Sequence, residues 1–299
     1  MTKRIIVLGM MRSGTSLTAE LVRRWGAYAG AENNLWKSNM QDARGYNGYM
    51  EYIPLQDLND ELLNNNDRVP SEQEVLEERA VEPAFREKAL ALLQNMDKQT
   101  AQTQFEAWIW KDARLPLTLP FWTKLWDDPI YVITVRHPAE VAMSLAKTEG
   151  VDEENLPFSA AFAYWQYCML NILSFTQESR NKIFIGYDQL ISNPIQECIR
   201  LCDFLDEHCG KSAQGSEQRV KTMLPTVEKG QRHNQYKRSL ADMEQATREQ
   251  RALYNFLRVK TMYSDETFNK DDFALYPGWK EYLQAMDMIV AMSRSQETS

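Results

Sequence analysis

Residues 4–17, RIIVLGMMRSGTSL, decide the fold. Ile5, Ile6, Val7 and Leu8 form a short unbroken apolar run, the pattern of a strand buried on both faces. The run enters a glycine-bounded loop, Gly9-Met10-Met11-Arg12-Ser13-Gly14-Thr15-Ser16, and the chain then turns helical as far as Trp25. Strand, glycine loop and helix start together make a phosphate-binding arrangement, because the loop amides converge on an anion and the helix dipole favours it. In the nucleoside-triphosphate version of this loop a lysine follows the second glycine to reach the β- and γ-phosphates, with a hydroxyl beside it for Mg²⁺. Here Thr15 stands in the lysine position and the cation is Arg12, before Gly14. The loop therefore suits a nucleotide whose 5′-phosphate carries a transferable group other than phosphate, which points to a nucleotide-dependent transferase that is not a kinase.

Working outward, three more apolar runs read as buried strands: Ala107 to Trp110, Ile130 to Val135 and Lys182 to Ile185. The spacing predicts helices over Ser16 to Trp25, Ile53 to Asn64, Pro83 to Lys98, Leu117 to Trp126, Pro138 to Lys147, Phe158 to Ser179 and Pro194 to Glu207. Pro138 and Pro194 fall in first turns, and Asn193 is placed to cap. Strands alternating with helices imply an α/β fold: a P-loop-like, doubly wound parallel sheet of about four to five strands, flanked by helices. Gly26 to Tyr52 reads as a long loop, and Gly210 to Gln235 as irregular and basic. From Arg238 charged helices return, as helical C-terminal additions to one domain.

Composition narrows the function. A formal charge of -8 argues against nonspecific nucleic-acid binding, which needs a basic face. The apolar run before Gly9 is too short for a signal-peptide core, and nowhere do about 18 apolar residues run together, so no membrane insertion and a cytoplasmic location are expected. Cys168, Cys198, Cys202 and Cys209 contain no C-x-x-C pair. Cys198 and Cys202, with His208 and Cys209 nearby, would allow a zinc site, but the spacing matches no common one. Buried thiols on the apolar face of Ile195 to Leu205 are the simpler account.

In a parallel sheet, ligands bind beyond the carboxyl ends of the strands, and here three of the four strand ends carry a cation. The third strand ends in Arg136-His137-Pro138, with Ser144 two helical turns on. A guanidinium at a strand tip with a hydroxyl on the following helix makes a site for a second phosphate. An Asp at that tip would have implied Mg²⁺ instead. The second strand ends in Lys111-Asp112-Ala113-Arg114. Any one of these arginines alone is readily a surface charge; three strand ends with cations make coincidence less plausible.

Taken together, Arg12-Ser13-Gly14-Thr15-Ser16, Lys111-Asp112-Ala113-Arg114-Leu115, Arg136-His137-Pro138 with Ser144, and Tyr187-Asp188-Gln189-Leu190 with Pro194 resemble the sulfotransferase family. The chain looks most similar to its bacterial branch, with a G-M-x-R-S-G-T-S loop, over about residues 4 to 200. The resemblance implies 3′-phosphoadenosine 5′-phosphosulfate (PAPS) as cofactor and no metal. Arg12 and the amides of Ser13, Gly14, Thr15 and Ser16 would hold the 5′-phosphosulfate, and Arg136 and Ser144 the 3′-phosphate. Tyr187 would lie near the adenine, unless it is simply a core tyrosine. Lys229, Gly230 or Arg232 would add a last 3′-phosphate contact. The implied organisation is a single domain over 1–299, with a cofactor-binding core at 1–209 and a C-terminal loop and helices at 210–299 capping the site.

In-line sulfuryl transfer needs cations for the transferring oxygens and leaving phosphate, and a base for the acceptor proton. Arg12 and Lys111 are the expected cations. Many cytosolic members take the base from a histidine near the Lys111 position, where this chain has Asp112, Ala113 and Arg114. Gly45-Tyr46-Asn47-Gly48-Tyr49-Met50-Glu51 resembles the G-Y-x-E stretch of the bacterial branch, so Glu51 is the expected base and Asp112 the reserve. The plainer alternatives are a helix N-terminal charge for Glu51 and a structural acceptor of loop amides for Asp112. His137 is read as a turn residue, and His233 as surface or contact. Phe162, Tyr164, Trp165 and Tyr167, at helical spacing, are read as core before pocket. The expected acceptor is a small-molecule alcohol or amine; Glu32, Asp42, Asp152, Glu153 and Glu154 would suit a cationic one. The rivals are a P-loop kinase and a non-catalytic nucleotide-binding protein.

Overall fold

The computed structural model describes residues 2–36, 51–63, 73–127, 129–148, 158–228 and 239–262. Four parallel strands form the sheet: β1 (Lys3–Leu8), β4 (Ala107–Lys111), β5 (Ile130–Val135) and β6 (Lys182–Gly186), in the order β4-β1-β5-β6. β1 is central, its Ile5 aligned with Ile109 of β4 on one side and with Ile130 of β5 on the other. Because successive strand residues face opposite sides, Ile5 and Val7 enter one apolar core, with Leu21, Val22 and Trp25, while Ile6 and Leu8 enter the other, with Trp108, Trp110 and Ile133. Burial on both faces is why these strands read as unbroken apolar runs.

The first core lies under α1 (Thr15–Trp25), α9 (Pro194–Cys209) and α10 (Ser216–Glu228). Over the second lie α2 (Ile53–Leu62), α3 (Gln73–Val81), α4 (Pro83–Ala101), α5 (Leu115–Trp122), α6 (Pro138–Thr148), α7 (Phe158–Phe175) and α11 (Arg248–Met262). From β1 the chain moves outward to β4, then returns across β1 to β5 and on to β6. The winding reverses between β1 and β5, the kind of position beyond whose strands' carboxyl ends ligands bind in open α/β sheets.

Three expectations need correction. The stretch expected to be irregular after Gly210 contains α10, whose Val220, Met223 and Val227 recur at helical spacing and are buried; the Pro225 inside it and its charged neighbours obscured that face. Within the expected loop from Gly26 to Tyr52, β2 (Leu35–Trp36) pairs with β3 (Glu51–Tyr52) at its C-terminal end as a short antiparallel ribbon, setting Trp36 opposite Glu51. Asn193 occupies the N-cap of α9, but its side chain accepts no capping bond; its Nδ2 donates to Ser192 Oγ at 3.3 Å. Among smaller shifts, α5 runs over Leu115–Trp122 where Leu117 to Trp126 was expected. A further short helix, α8 (Tyr187–Ser192), follows β6 directly. Among the described residues no helix is long and apolar enough to cross a membrane.

Candidate active site

The loop after β1 is folded by close approaches. A Cβ at Gly9 would lie 2.1 Å from Thr134 Oγ1, and one at Gly14 would lie 2.5 Å from the Tyr187 ring, at a φ of 96°. Gly14 ends the loop in a left-handed conformation and its carbonyl accepts the first helical bond, from the Thr18 amide at 3.0 Å. Among the described residues no side chain caps α1, and its first turn holds no acidic residue, an arrangement whose helix dipole favours an anion at this end. Among the described residues Ser13 Oγ is buried without a hydrogen-bond partner, the kind of orphaned group that an oxyanion ligand satisfies.

Arg12 has a positive φ of 66°. Its Nε donates to Ser144 Oγ at 3.0 Å, and its carbonyl accepts from Arg136 Nη1 at 2.9 Å. The two expected phosphate anchors, 132 residues apart in sequence, are thus neighbours along one polar edge. Arg136, just past β5, is 7% exposed; its Nε donates to Glu140 Oε2 at 3.1 Å and its guanidinium lies 4.3 Å over the centroid of the Tyr187 ring. Tyr187 is therefore covered by Arg136 on one face and approached by Gly14. It belongs to the core and adjoins the glycine loop as well. His137 Nδ1 accepts from the Ala139 amide at 3.2 Å, and its ring packs edge-on against Tyr254, as expected of a turn residue. A cavity of about 450 Å³ adjoins Arg136 and His137 on the α11 side, bordered by Gln189, Asn255 and Arg258 but by none of the residues 9–16.

At the tip of β4 stands a second cluster. Lys111 Nζ donates to Glu51 Oε1 at 2.9 Å, and both residues are buried. The Ala113 amide reaches the same oxygen at 3.4 Å. Among the described residues both partners of Glu51 take Oε1, leaving Oε2 for another donor. Asp112 is 2% exposed and fully engaged: Oδ1 accepts from the Arg114 amide at 2.9 Å and Arg114 Nη1 at 3.2 Å, Oδ2 from Asn59 Nδ2 at 2.8 Å. Arg114 also pairs with Asp60. Burial, then the Glu51 charge, push the Asp112 carboxyl up to about 6, against the lowering pull of Arg114 and Asn59. Asn59 is itself fixed, its Oδ1 accepting from Thr118 Oγ1 at 2.9 Å and Trp122 Nε1 at 2.7 Å.

Sequence reading missed Glu140 and Asn59. Glu140 is detectable in retrospect as a carboxylate four residues after Arg136 on a helix start. Asn59 carried no local signal. Phe162, Tyr164, Trp165 and Tyr167 are all buried in the core. Lys229, Gly230, Arg232, His233, Asp42, Tyr46, Tyr49, Asp152, Glu153 and Glu154 lie outside the described residues. All four cysteines are free, and among the described residues no group of three His, Cys, Asp or Glu is arranged to hold a metal.

Compared with solved structures, the chain is similar to the sulfotransferase domain of the Synechococcus PCC 7002 olefin synthase, at 17% identity, covering 95% of this chain and 94% of that one with a TM-score of 0.45. It is also similar to the sulfotransferase domain of the curacin biosynthetic pathway, at 18% identity over 96% and 98% with a TM-score of 0.40. A third similarity is to retinol dehydratase in complex with androsterone and the inactive cofactor PAP, at 18% identity over 98% and 80% with a TM-score of 0.39. No curated protein matches. The model of the sulfotransferase family matches residues 4–209, well over half of the chain. The chain belongs to the sulfotransferase family, enzymes of sulfuryl transfer.

Proposed function

We propose that the protein transfers a sulfuryl group from PAPS to a hydroxyl or amine of a small-molecule acceptor, by in-line, metal-independent transfer. The observation that carries the reading is the contact of Arg12 with Ser144, which joins a phosphate loop lacking the kinase lysine to the helix that follows β5 and so suits a ligand with two separate phosphates. Orphaned Ser13 Oγ and the uncapped start of α1 fit an oxyanion at the loop. Arg12 with Ser13, Gly14, Thr15 and Ser16 would hold the 5′ end, and Arg136 with Ser144 the 3′-phosphate. Tyr187 would border the nucleoside, and Lys229, Gly230 or Arg232 would complete the 3′ contact.

When bound, PAPS supplies the sulfuryl group and a phosphate leaving group. The chain supplies charge and a proton acceptor. Arg12 and Lys111 stabilise negative charge that grows on the transferring oxygens and the leaving phosphate, in a site where fixed donors need little reorganisation. Glu51 Oε2 takes the acceptor proton as the acceptor forms its bond to sulfur, while Lys111 and the Ala113 amide hold Oε1 in place. Asp112, with both oxygens committed, orders the turn into α5 and supports Glu51 as the base. The residues at 210–299 would cap this edge as part of a single domain over 1–299. We place the protein in the cytoplasm, with no nucleic-acid partner.

Calorimetric titration with adenosine 3′,5′-bisphosphate, beside ATP with Mg²⁺, tests the reading. Metal-free binding of the bisphosphate that Arg136→Ala strongly weakens is expected. Preference for Mg-ATP would sink it in favour of a kinase, and nucleotide affinity without turnover on any acceptor would favour a non-catalytic binder.

A further inference from the structure

Among the described residues Arg12 is the one non-glycine residue with positive φ, a conformation that persists only where the surroundings hold it. Its carbonyl is held by Arg136 Nη1 and its side chain by Ser144 Oγ. Arg136 in turn is gripped by Glu140 Oε2 on one side and by the Tyr187 ring beneath its guanidinium. Glu140 and Ser144 stand four residues apart, on one face of α6. Glu140 is 0% exposed, so it touches no ligand.

We propose that Glu140 is a positioning residue for the phosphate loop: through Arg136 it holds the Arg12 backbone in its left-handed conformation, while Ser144, one turn further along α6, holds the Arg12 side chain. One helix thereby sets both ends of the loop's cation. The proposal rests on Arg12 being the anion-binding residue of the reading above. It also makes a claim opposite in sign to simple electrostatics. A buried carboxylate close to an anion site repels the anion, so its removal should tighten nucleotide binding if charge alone mattered. Positioning requires the reverse.

The test compares the unaltered protein with Glu140→Gln, Glu140→Asp and Glu140→Ala, using two probes. One is adenosine 3′,5′-bisphosphate; the other is adenosine 5′-phosphosulfate, which lacks the 3′-phosphate. Amide hydrogen exchange over residues 10–16 is followed without ligand. The expected result is that Glu140→Gln and Glu140→Ala bind both probes about tenfold more weakly, the scale of one lost charge-assisted bond, and exchange faster in the loop. Glu140→Asp should restore part of each. Weakening confined to the bisphosphate would overturn the proposal, because Glu140 would then act only on the 3′-phosphate. Unchanged or tighter binding would overturn it too, as would a lower melting temperature with both affinities intact, the mark of a merely structural residue. If Glu140→Ala does not fold, the Gln and Asp variants carry the comparison. If the unaltered protein binds neither probe, the cofactor reading has failed, and the exchange data alone decide whether Glu140 braces the loop.

Discussion

The two ends of the sheet edge solve different problems with different materials. Beyond β1 and β5 the site is cationic and largely backbone-built: an uncapped helix start, a glycine loop, and two arginines of which one is held by a buried carboxylate. At the tip of β4 the site is a mixed cluster, Glu51, Asp112 and Asp60 against Lys111 and Arg114, in which buried carboxylates are fixed by cations and amides. Binding a dianion requires an excess of donors over carboxylates. Moving a proton requires a carboxylate held at one oxygen and open at the other. The first end should therefore govern affinity and the second turnover, a division that mutation can break.

The largest effect is expected at Glu51. Glu51→Gln should lower turnover by roughly 10²- to 10⁴-fold, the range of general-base catalysis, and leave bisphosphate affinity within about threefold. A comparable turnover loss in Asp112→Asn with Glu51→Gln active would move the base to Asp112. Next comes Arg136→Ala, which should weaken the bisphosphate roughly 10- to 100-fold and, by leaving Glu140 buried without its cation, lower the melting temperature. Loss of turnover without loss of affinity in that variant would erase the division.

Gly14→Ala should destabilise by about 1–3 kcal/mol, from its left-handed backbone and the Tyr187 ring together. Gly215→Ala, at a φ of 97° but facing only the end of the Arg219 side chain, should cost less in the same thermal melts. The smallest effect concerns pH. Because the folded-state value of Asp112, about 6, lies above its ordinary 3.8, this group's contribution is fully present below the ordinary value and is lost as pH rises through the folded one. Melting temperature should thus fall more steeply between about pH 4 and 7 in the unaltered protein than in Asp112→Asn. Glu51→Gln should move that fall to lower pH, since the Glu51 charge is one cause of the shift.

The sheet was legible because each strand is buried on both faces, so Ile5 to Leu8 or Ile130 to Val135 announces itself without knowledge of its neighbours. α10 was not, because its apolar stripe of Val220, Met223 and Val227 is diluted by charges and interrupted by Pro225. Arg12, Lys111 and Arg136 could be picked out by their place at strand ends, a local property. Their pairings could not, although Ser144 and Glu51 were each named as site residues: Ser144 reaches Arg12 across 132 residues and Glu51 reaches Lys111 across 60.

By itself, then, the sequence determined the α/β layering, the phosphate loop and the cations that mark the edge, because burial periodicity and glycine-dependent turns act over a few residues. Tertiary structure alone decided which oxygen of Glu51 is left open, that both oxygens of Asp112 are spent on Arg114 and Asn59, and that α6 grips Arg12 through Glu140 and Ser144. Those outcomes depend on where segments far apart in the chain pack, and a hydrogen bond tolerates only a few tenths of an ångström of error in that packing.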